Sequence, residues 1–192
     1  MLLRGLTAAA AILLTAGLAS ADDISDKAAA CSGCHGKNGV PISDATPIIW
    51  GQNEEYILNE LRDMKTGARR NSQMASVLQD MSEDDMLALA AYFASKPWPN
   101  LAQPRAPKAD EDRFAEMASP ASAGIGCFVC HQTTYLGADT KPRLAGQSET
   151  YLRYTMFDFR YGDRANNAWM KDLLKTYSLE DIKQMARVLA GM

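Results

Sequence analysis

The chain has 192 residues, of which 47% are hydrophobic, and its formal net charge is −3. This length suits one large domain or two small ones, and the mixed charge contains no basic stripe of the kind that binds nucleic acid. The net negative charge favours instead a protein partner with a positive docking patch.

Residues 1–21 have the pattern of an export signal. Arg4 supplies a positive n-region, residues 6–18 supply an apolar h-region, and residues 19–21 form an Ala-Ser-Ala cleavage site. The apolar run is short for a membrane span, so an uncleaved anchor is the less favoured alternative. We predict cleavage after Ala21 and, for a Gram-negative source, a periplasmic location.

Residues 22–30 are predicted to form a short helix that leads into the pattern C-x-x-C-H, which recurs in the second half of the chain. The two copies consist of Cys31, Cys34 and His35, and of Cys127, Cys130 and His131. Two thiols at this spacing add to the two vinyl groups of one porphyrin, and the following imidazole ligates the iron. Because every cysteine and histidine is used, we predict two covalently bound haem c groups with both histidines as proximal ligands.

Three other uses of the cysteines remain open. A pair of disulfides is chemically reasonable in an oxidising compartment. A thioredoxin-like redox site lacks the surrounding β-α-β pattern. A four-cysteine zinc site requires the two pairs to converge, and it leaves both adjacent histidines unexplained.

The rest of the first half predicts two more helices. Residues 53–65 carry apolar side chains at helical spacing, and Gly67 ends that helix. Ser82 and the three acidic residues after it form a capping box that opens the next helix, which ends before Pro97. The first domain is therefore predicted to span residues 22–96.

Residues 97–110 contain four prolines and predict an extended, semi-rigid linker. The second domain is predicted over residues 111–192, with a loop of small residues at 119–126 directly before the second motif. Helices are expected after Ser148 and after Ser178, and no alternating strand pattern occurs anywhere. The predicted fold is all-α, in two similar tandem domains.

An internal repeat selects the sixth iron ligand. The halves align at an offset of 96 residues at the motifs, 95 in the middle segment and 96 again near the C-terminus. Because both histidines are committed, a methionine thioether is the remaining strong soft ligand. Of ten methionines, only Met74 and Met170 pair with each other in the repeat, and each lies 39 residues after its histidine. We predict that they are the distal ligands and that each lies in a loop between two helices.

The cationic and tryptophan side chains near these loops have alternative roles. Five basic residues follow the same loops in both halves: Lys65, Arg69, Arg70, Arg160 and Arg164. Either they pair with haem propionates or with a partner protein, or they form a solvated face. Packing is predicted for Trp50, Trp98 and Trp169, although Trp169 adjoins Met170 and is the best candidate to line a haem crevice.

The chain resembles the cytochrome c4 family, exported dihaem proteins built from two class I cytochrome c domains. The resemblance rests on the two C-x-x-C-H motifs, the P-x-x-x-G-Q segments at 47–52 and 142–147, and the methionines eight residues before Ser82 and Ser178. It implies that Met74 and Met170 are distal ligands. It also implies that the carbonyl groups of Pro47 and Pro142 accept a hydrogen bond from the proximal imidazoles; a simple loop-turning role for the prolines is the alternative.

Two departures concern the second half. His131 is followed by Gln132, where family members usually have glycine, as at Gly36. The second half also resembles the dihaem cytochrome subunit of flavocytochrome c sulfide dehydrogenase, notably at residues 144–147 and 151–160. This second resemblance leaves the partner open but not the haem chemistry.

The function expected from these features is one-electron transfer without substrate chemistry, since His/Met ligation fills both axial positions of the iron. The carrier is expected to link a dehydrogenase or quinol-oxidising complex to a terminal oxidase, with peripheral association to a membrane oxidase or to a dehydrogenase subunit. The alternatives are a dedicated subunit of a dehydrogenase complex, such as a flavocytochrome sulfide dehydrogenase, and a dihaem peroxidase. The absence of a third histidine disfavours the peroxidase.

Overall fold

The computed structural model describes residues 21–118 and 126–192. Residues 1–20 of the predicted export signal, and residues 119–125 of the predicted small-residue loop, lie outside the described residues. Within these two ranges the chain forms helices and isolated bridges but no strand, which confirms the all-α class. No helix in this part of the chain is long and apolar enough to cross a membrane.

Each half contains helices in the same order. In the first half they are α1 (Ala21–His35), α2 (Glu54–Thr66), α3 (Ser72–Leu78) and α4 (Glu83–Ala94). In the second half they are α5 (Lys108–Ala118), α6 (Cys127–His131), α7 (Glu149–Tyr161), α8 (Ala168–Lys175) and α9 (Leu179–Ala190). The helix predicted over 22–30 thus continues through the first motif, and the last three residues of the predicted linker are helical.

The longer helices begin and end where the sequence signals stand. Ser82 and Ser178 each accept a hydrogen bond from the third helical N–H, and Asp85 and Asp181 complete the two capping boxes. Glycines at the ends of α2 and α7 adopt left-handed backbone, with φ of 81° at Gly67 and 89° at Gly162.

The segments carrying Met74 and Met170 are short helices, α3 and α8, where the sequence analysis predicts loops. Each helix is capped by an asparagine whose side chain accepts a hydrogen bond from the methionine N–H. Asn71 accepts from Met74 at 3.0 Å, and Asn167 accepts from Met170 at 3.1 Å. Helix α3 has seven residues, too few to show a clear apolar period, whereas α8 carries Met170, Leu173 and Leu174 at helical spacing.

Each half has its own apolar core. In the first half, α2 packs on α4 and buries Ile57, Leu89 and Phe93. In the second half, α9 packs on α7 and α5, and it contributes Ile182 and Leu189. Two separate cores of this kind confirm the two-domain architecture and leave a polar seam between the halves.

The extended segment between the domains is held against the second half. The guanidinium of Arg143 lies over the ring of Trp98, 4.2 Å from its centroid. The side-chain amide of Gln103 donates to backbone carbonyl groups, including that of Gln147 at 3.0 Å. The proline-rich linker therefore follows a defined path over the surface of the second domain.

Candidate haem sites

Each C-x-x-C-H motif lies on a helix, which places its three chemical groups together. Residues three and four positions apart share one helix face, so both cysteines and the histidine project to the same side. The first motif forms the last turns of α1, and the second makes up the whole of α6. His35 and His131 are both buried.

A backbone carbonyl group fixes the orientation of each imidazole. Nδ1 of His35 lies 2.9 Å from the carbonyl oxygen of Pro47, and Nδ1 of His131 lies 3.0 Å from that of Pro142. An Nδ1–H that donates there leaves Nε2 with its lone pair, the form that ligates a metal. Burial lowers the pKa of both imidazoles, which also favours this neutral form.

The two methionines lie in the first turns of α3 and α8, and both are half-buried. The start of α3 reaches the first motif, since Nε2 of Gln73 lies 3.9 Å from Sγ of Cys34. The residue before Met74 therefore stands beside the second cysteine of its motif.

No disulfide bond joins the four cysteines. Burial raises the pKa of Cys31 and of Cys127, so both remain protonated near neutral pH. The convergence that a four-cysteine zinc site requires is missing from the described ranges, where no group of three or more histidine, cysteine or acidic side chains could hold a metal ion.

Two glutamine side chains clasp the domains together across the polar seam. Gln147 accepts from the N–H of Ile48 at 2.9 Å and donates to the carbonyl group of the same residue at 3.0 Å. Gln52 makes the same pair of hydrogen bonds with the backbone of Arg143, at 2.7 and 3.0 Å. Gln52 and Gln147, like Ile48 and Arg143, are 95 residues apart, so the two clasps are related by the repeat.

A buried ionic cluster lies in the same seam. Arg69 donates to the hydroxyl of Tyr151, and Arg164 donates to the hydroxyl of Tyr56, both at 3.3 Å. Both guanidinium groups also contact the carboxylate of Glu60, at 2.7 Å for Arg69. Burial raises the pKa of Tyr56, so that phenol is neutral.

The charge of this cluster fits the carboxylates of a haem. Among the residues described, Glu60 is the carboxylate that forms ion pairs with both Arg69, which is partly buried, and Arg164, which is buried. Buried charge is stable only when paired, so a further anionic group such as a propionate suits this donor set. Together with the thiols, imidazoles and thioethers, the cluster makes the chain compatible with haem.

The cationic residues considered from the sequence divide into three groups. Arg69 and Arg164 form the buried cluster, and Arg70 is exposed. Lys65 donates to the backbone carbonyl group of Met81, and Arg160 donates to those of residues 174, 175 and 177. The clasps and Glu60 were not predicted from the sequence. The recurrence of Gln52 and Gln147 in the repeat was the available sequence signal for the clasps. No such signal marked Glu60, because residue 155 at the equivalent position is threonine.

Comparison with known proteins identifies the family. Cytochrome c4 of Pseudomonas aeruginosa is 32% identical over 172 residues, an alignment that covers 86% of this chain and 85% of that protein. The chain belongs to the cytochrome c4 family. The solved structure of reduced cytochrome c4 from Pseudomonas stutzeri superposes with a TM-score of 0.80 at 27% identity, covering 90% of this chain and 98% of that one.

A second kind of relative has a more specific name. The thiosulfate dehydrogenase electron acceptor of Stutzerimonas stutzeri strain A1501 is 29% identical over 172 residues, covering 86% of this chain and 80% of that protein. No protein-family model matches the chain. Membership of the cytochrome c4 family implies covalently bound haem c and a role in electron transfer.

Proposed function

We propose that this chain is a periplasmic dihaem carrier of single electrons. Cys31 and Cys34 would bind one haem and Cys127 and Cys130 the other, through thioether bonds. His35 with Met74, and His131 with Met170, would fill the axial positions. The observation that carries this proposal is the repeated motif whose histidine is held through Nδ1 by a proline carbonyl group.

The chemistry that each haem supplies when bound is the gain and loss of one electron at its iron. The protein's part is to hold the ligands still and to exclude water. The carbonyl groups of Pro47 and Pro142 fix the two rings and make Nε2 a stronger donor. The thioethers of Met74 and Met170 favour ferrous iron and so raise the potential above that of a bis-histidine haem.

If His35 with Met74 and His131 with Met170 each hold an iron, no open position would be left for a substrate, and we therefore propose a carrier and not an enzyme. The export signal predicted at residues 1–21 supports a periplasmic location for a Gram-negative source. There it would pass electrons from a dehydrogenase or quinol-oxidising complex to a terminal oxidase. Rapid binding of carbon monoxide or cyanide by the native protein would argue for an enzyme instead.

A second candidate is a dedicated acceptor for an enzyme that oxidises a sulfur compound. The relative named as a thiosulfate dehydrogenase electron acceptor supports it. Size-exclusion chromatography of the native protein from its source separates the two: a free carrier elutes at the size of the chain, and a dedicated subunit elutes with its dehydrogenase.

The ligand assignment is tested on protein made with competent cytochrome maturation. Intact mass and haem quantification should give two haems per chain, and the ferric spectrum should show a sulfur-to-iron charge-transfer band. Met74→His and Met170→His should each remove that band at one haem and lower its potential. Met81→His is a matched control, because its repeat partner is Tyr177. A full band in both ligand variants would refute the assignment.

A further inference from the structure

The proximal histidine of the first domain is connected to the second domain through one peptide group. Nδ1 of His35 lies 2.9 Å from the carbonyl oxygen of Pro47. The N–H of Ile48 donates to Oε1 of Gln147 at 2.9 Å. This carbonyl group and this N–H belong to the same peptide unit, because Ile48 follows Pro47 in the chain. A chain of two hydrogen bonds therefore runs from a glutamine of the second domain to the imidazole of the first motif.

The proximal histidine of the second domain has the converse connection. Nδ1 of His131 lies 3.0 Å from the carbonyl oxygen of Pro142. The N–H of Arg143, in the same peptide unit, donates to Oε1 of Gln52 in the first domain at 2.7 Å. We call the chain that starts at Gln147 the first relay and the chain that starts at Gln52 the second relay.

The orientation of each glutamine amide is fixed by its other partners. Oε1 of Gln147 also accepts from the N–H of Ser148 at 2.9 Å, and its Nε2 donates to the carbonyl group of Ile48 at 3.0 Å. Gln52 makes the equivalent contacts. Exchange of oxygen and nitrogen in either amide would turn a donor toward two N–H groups. An oxygen atom therefore faces the peptide N–H in both relays, and Gln147 is only 2% exposed, so water does not compete for its bonds.

A relay of this kind acts on the imidazole through the shared peptide unit. An acceptor on the N–H polarises the conjugated unit, so its carbonyl oxygen becomes a stronger acceptor for Nδ1–H. A stronger hydrogen bond at Nδ1 makes Nε2 a better electron donor to iron. Because greater donation favours ferric iron, each relay should lower the potential of the haem at its end.

We propose that Gln147 is a positioning residue for the haem of the first domain and Gln52 for the haem of the second, so that each domain tunes the potential of the other domain's iron. This inference rests on the proposed carrier function. It gives the polar seam a role in electron transfer besides holding the domains together. Separation of the domains would break both relays at once, so both potentials depend on the docked arrangement.

The test compares full-length holoprotein variants that lose a relay with variants that lose another bond across the same seam. Gln147→Met and Gln52→Met keep the length of the side chain and remove its amide. Ser148→Ala and Asn53→Ala are the matched controls. Each of these two side chains donates across the seam to backbone carbonyl groups that no imidazole contacts. A general loosening of the seam would therefore show in the controls as well.

Two readouts report on each haem separately. In ferrous protein, which is diamagnetic with His/Met ligation, NMR of nitrogen-15-labelled holoprotein detects the two imidazole Nδ1–H groups. Through-space contacts with Pro47 or Pro142 assign each signal to its histidine. A potentiometric titration gives the two potentials, and the order in which the ferrous signals appear assigns each potential to its haem.

We expect Gln147→Met to move the Nδ1–H signal of His35 upfield and leave that of His131 in place. It should also raise the ferrous-to-ferric ratio of the first haem about threefold at a fixed potential, or about 28 mV at 59 mV per tenfold. Gln52→Met should act in the same way on the second haem alone. Both controls should leave the two signals and the two potentials unchanged.

The proposal would be overturned by an unchanged His35 signal in Gln147→Met, or by a shift confined to the haem of the mutated domain. Equal shifts in the controls would overturn it too, because they would assign the effect to the seam as a whole. Each of these results leaves two one-electron steps in place. A wild-type holoprotein without two reversible one-electron steps would instead overturn the carrier function.

Discussion

Removal of the Gln147 side chain tests whether the clasps hold the two domains together. Gln147 and Ile48, whose backbone it binds, are 2% and 1% exposed. Gln147→Ala leaves the N–H and the carbonyl group of Ile48 without their side-chain partner in a buried position. An unsatisfied buried group costs about 1–3 kcal/mol, so the variant should lose about 3 kcal/mol of unfolding free energy.

The repeat supplies a matched control for this prediction. Gln52→Ala removes the equivalent clasp, but its partner Arg143 is only partly buried, so water can replace the lost hydrogen bonds. We expect Gln52→Ala to cost less than Gln147→Ala, by about 1 kcal/mol or more.

Both losses are measured by urea unfolding of ferric holoprotein, followed by far-ultraviolet circular dichroism and by haem absorbance. Coincident transitions in the wild type and separated ones in Gln147→Ala would show that the clasp couples the domains. A loss below 1 kcal/mol for Gln147→Ala, or a larger loss for Gln52→Ala, would refute this reasoning.

Three further predictions address single residues. Glu60→Gln leaves Arg69 and Arg164 without their shared carboxylate, so it should cost about 3 kcal/mol in urea unfolding, whereas Thr155→Val at the equivalent position should cost under 1 kcal/mol. The hydrogen bond from Lys27 lowers the pKa of Asp85 to about 2. Its stabilisation is therefore present above about pH 4 and lost as the pH falls toward 2, and acid unfolding of Asp85→Asn should lack this component. Gln132→Gly should raise stability by about 1 kcal/mol in thermal unfolding, since Gln132 has a φ of 64° and a ψ of 164°, and an unchanged midpoint would contradict this.

The features that the sequence predicted are those that depend on short stretches of chain. The covalent motif, the capping boxes at Ser82 and Ser178 and the helix period of residues 53–65 each depend on neighbours within one or two turns. The departure at Gln132 was also visible, because the first half has glycine at that position. Its backbone geometry gives the physical reason for the family's preference: this conformation suits only a residue without a Cβ atom.

The features that the sequence did not predict depend on how the two domains meet. Gln52, Gln147 and Glu60 act on residues roughly 90 to 105 positions away, and no local period marks such contacts. Helices α3 and α8 were missed for a different reason, because each is only about two turns long. Packing was predicted for Trp169 because it is aromatic, whereas 79% of its surface is exposed in the structure.

The polar seam between the domains contains pairs of equivalent contacts and one charged residue, Glu60, without an equivalent. The clasps and the Arg–Tyr contacts come in pairs related by the same 95-residue offset, and the backbone bridge between Arg69 and Arg164 joins equivalent positions of the two domains. Contacts that exchange under one offset define a pseudo-two-fold relation, as in an isologous dimer. Glu60 breaks this relation, because its counterpart is Thr155 and a second carboxylate there would compete for the same two guanidinium groups. A single buried acid is therefore the arrangement that pairs both arginines while leaving them able to bind a further anion.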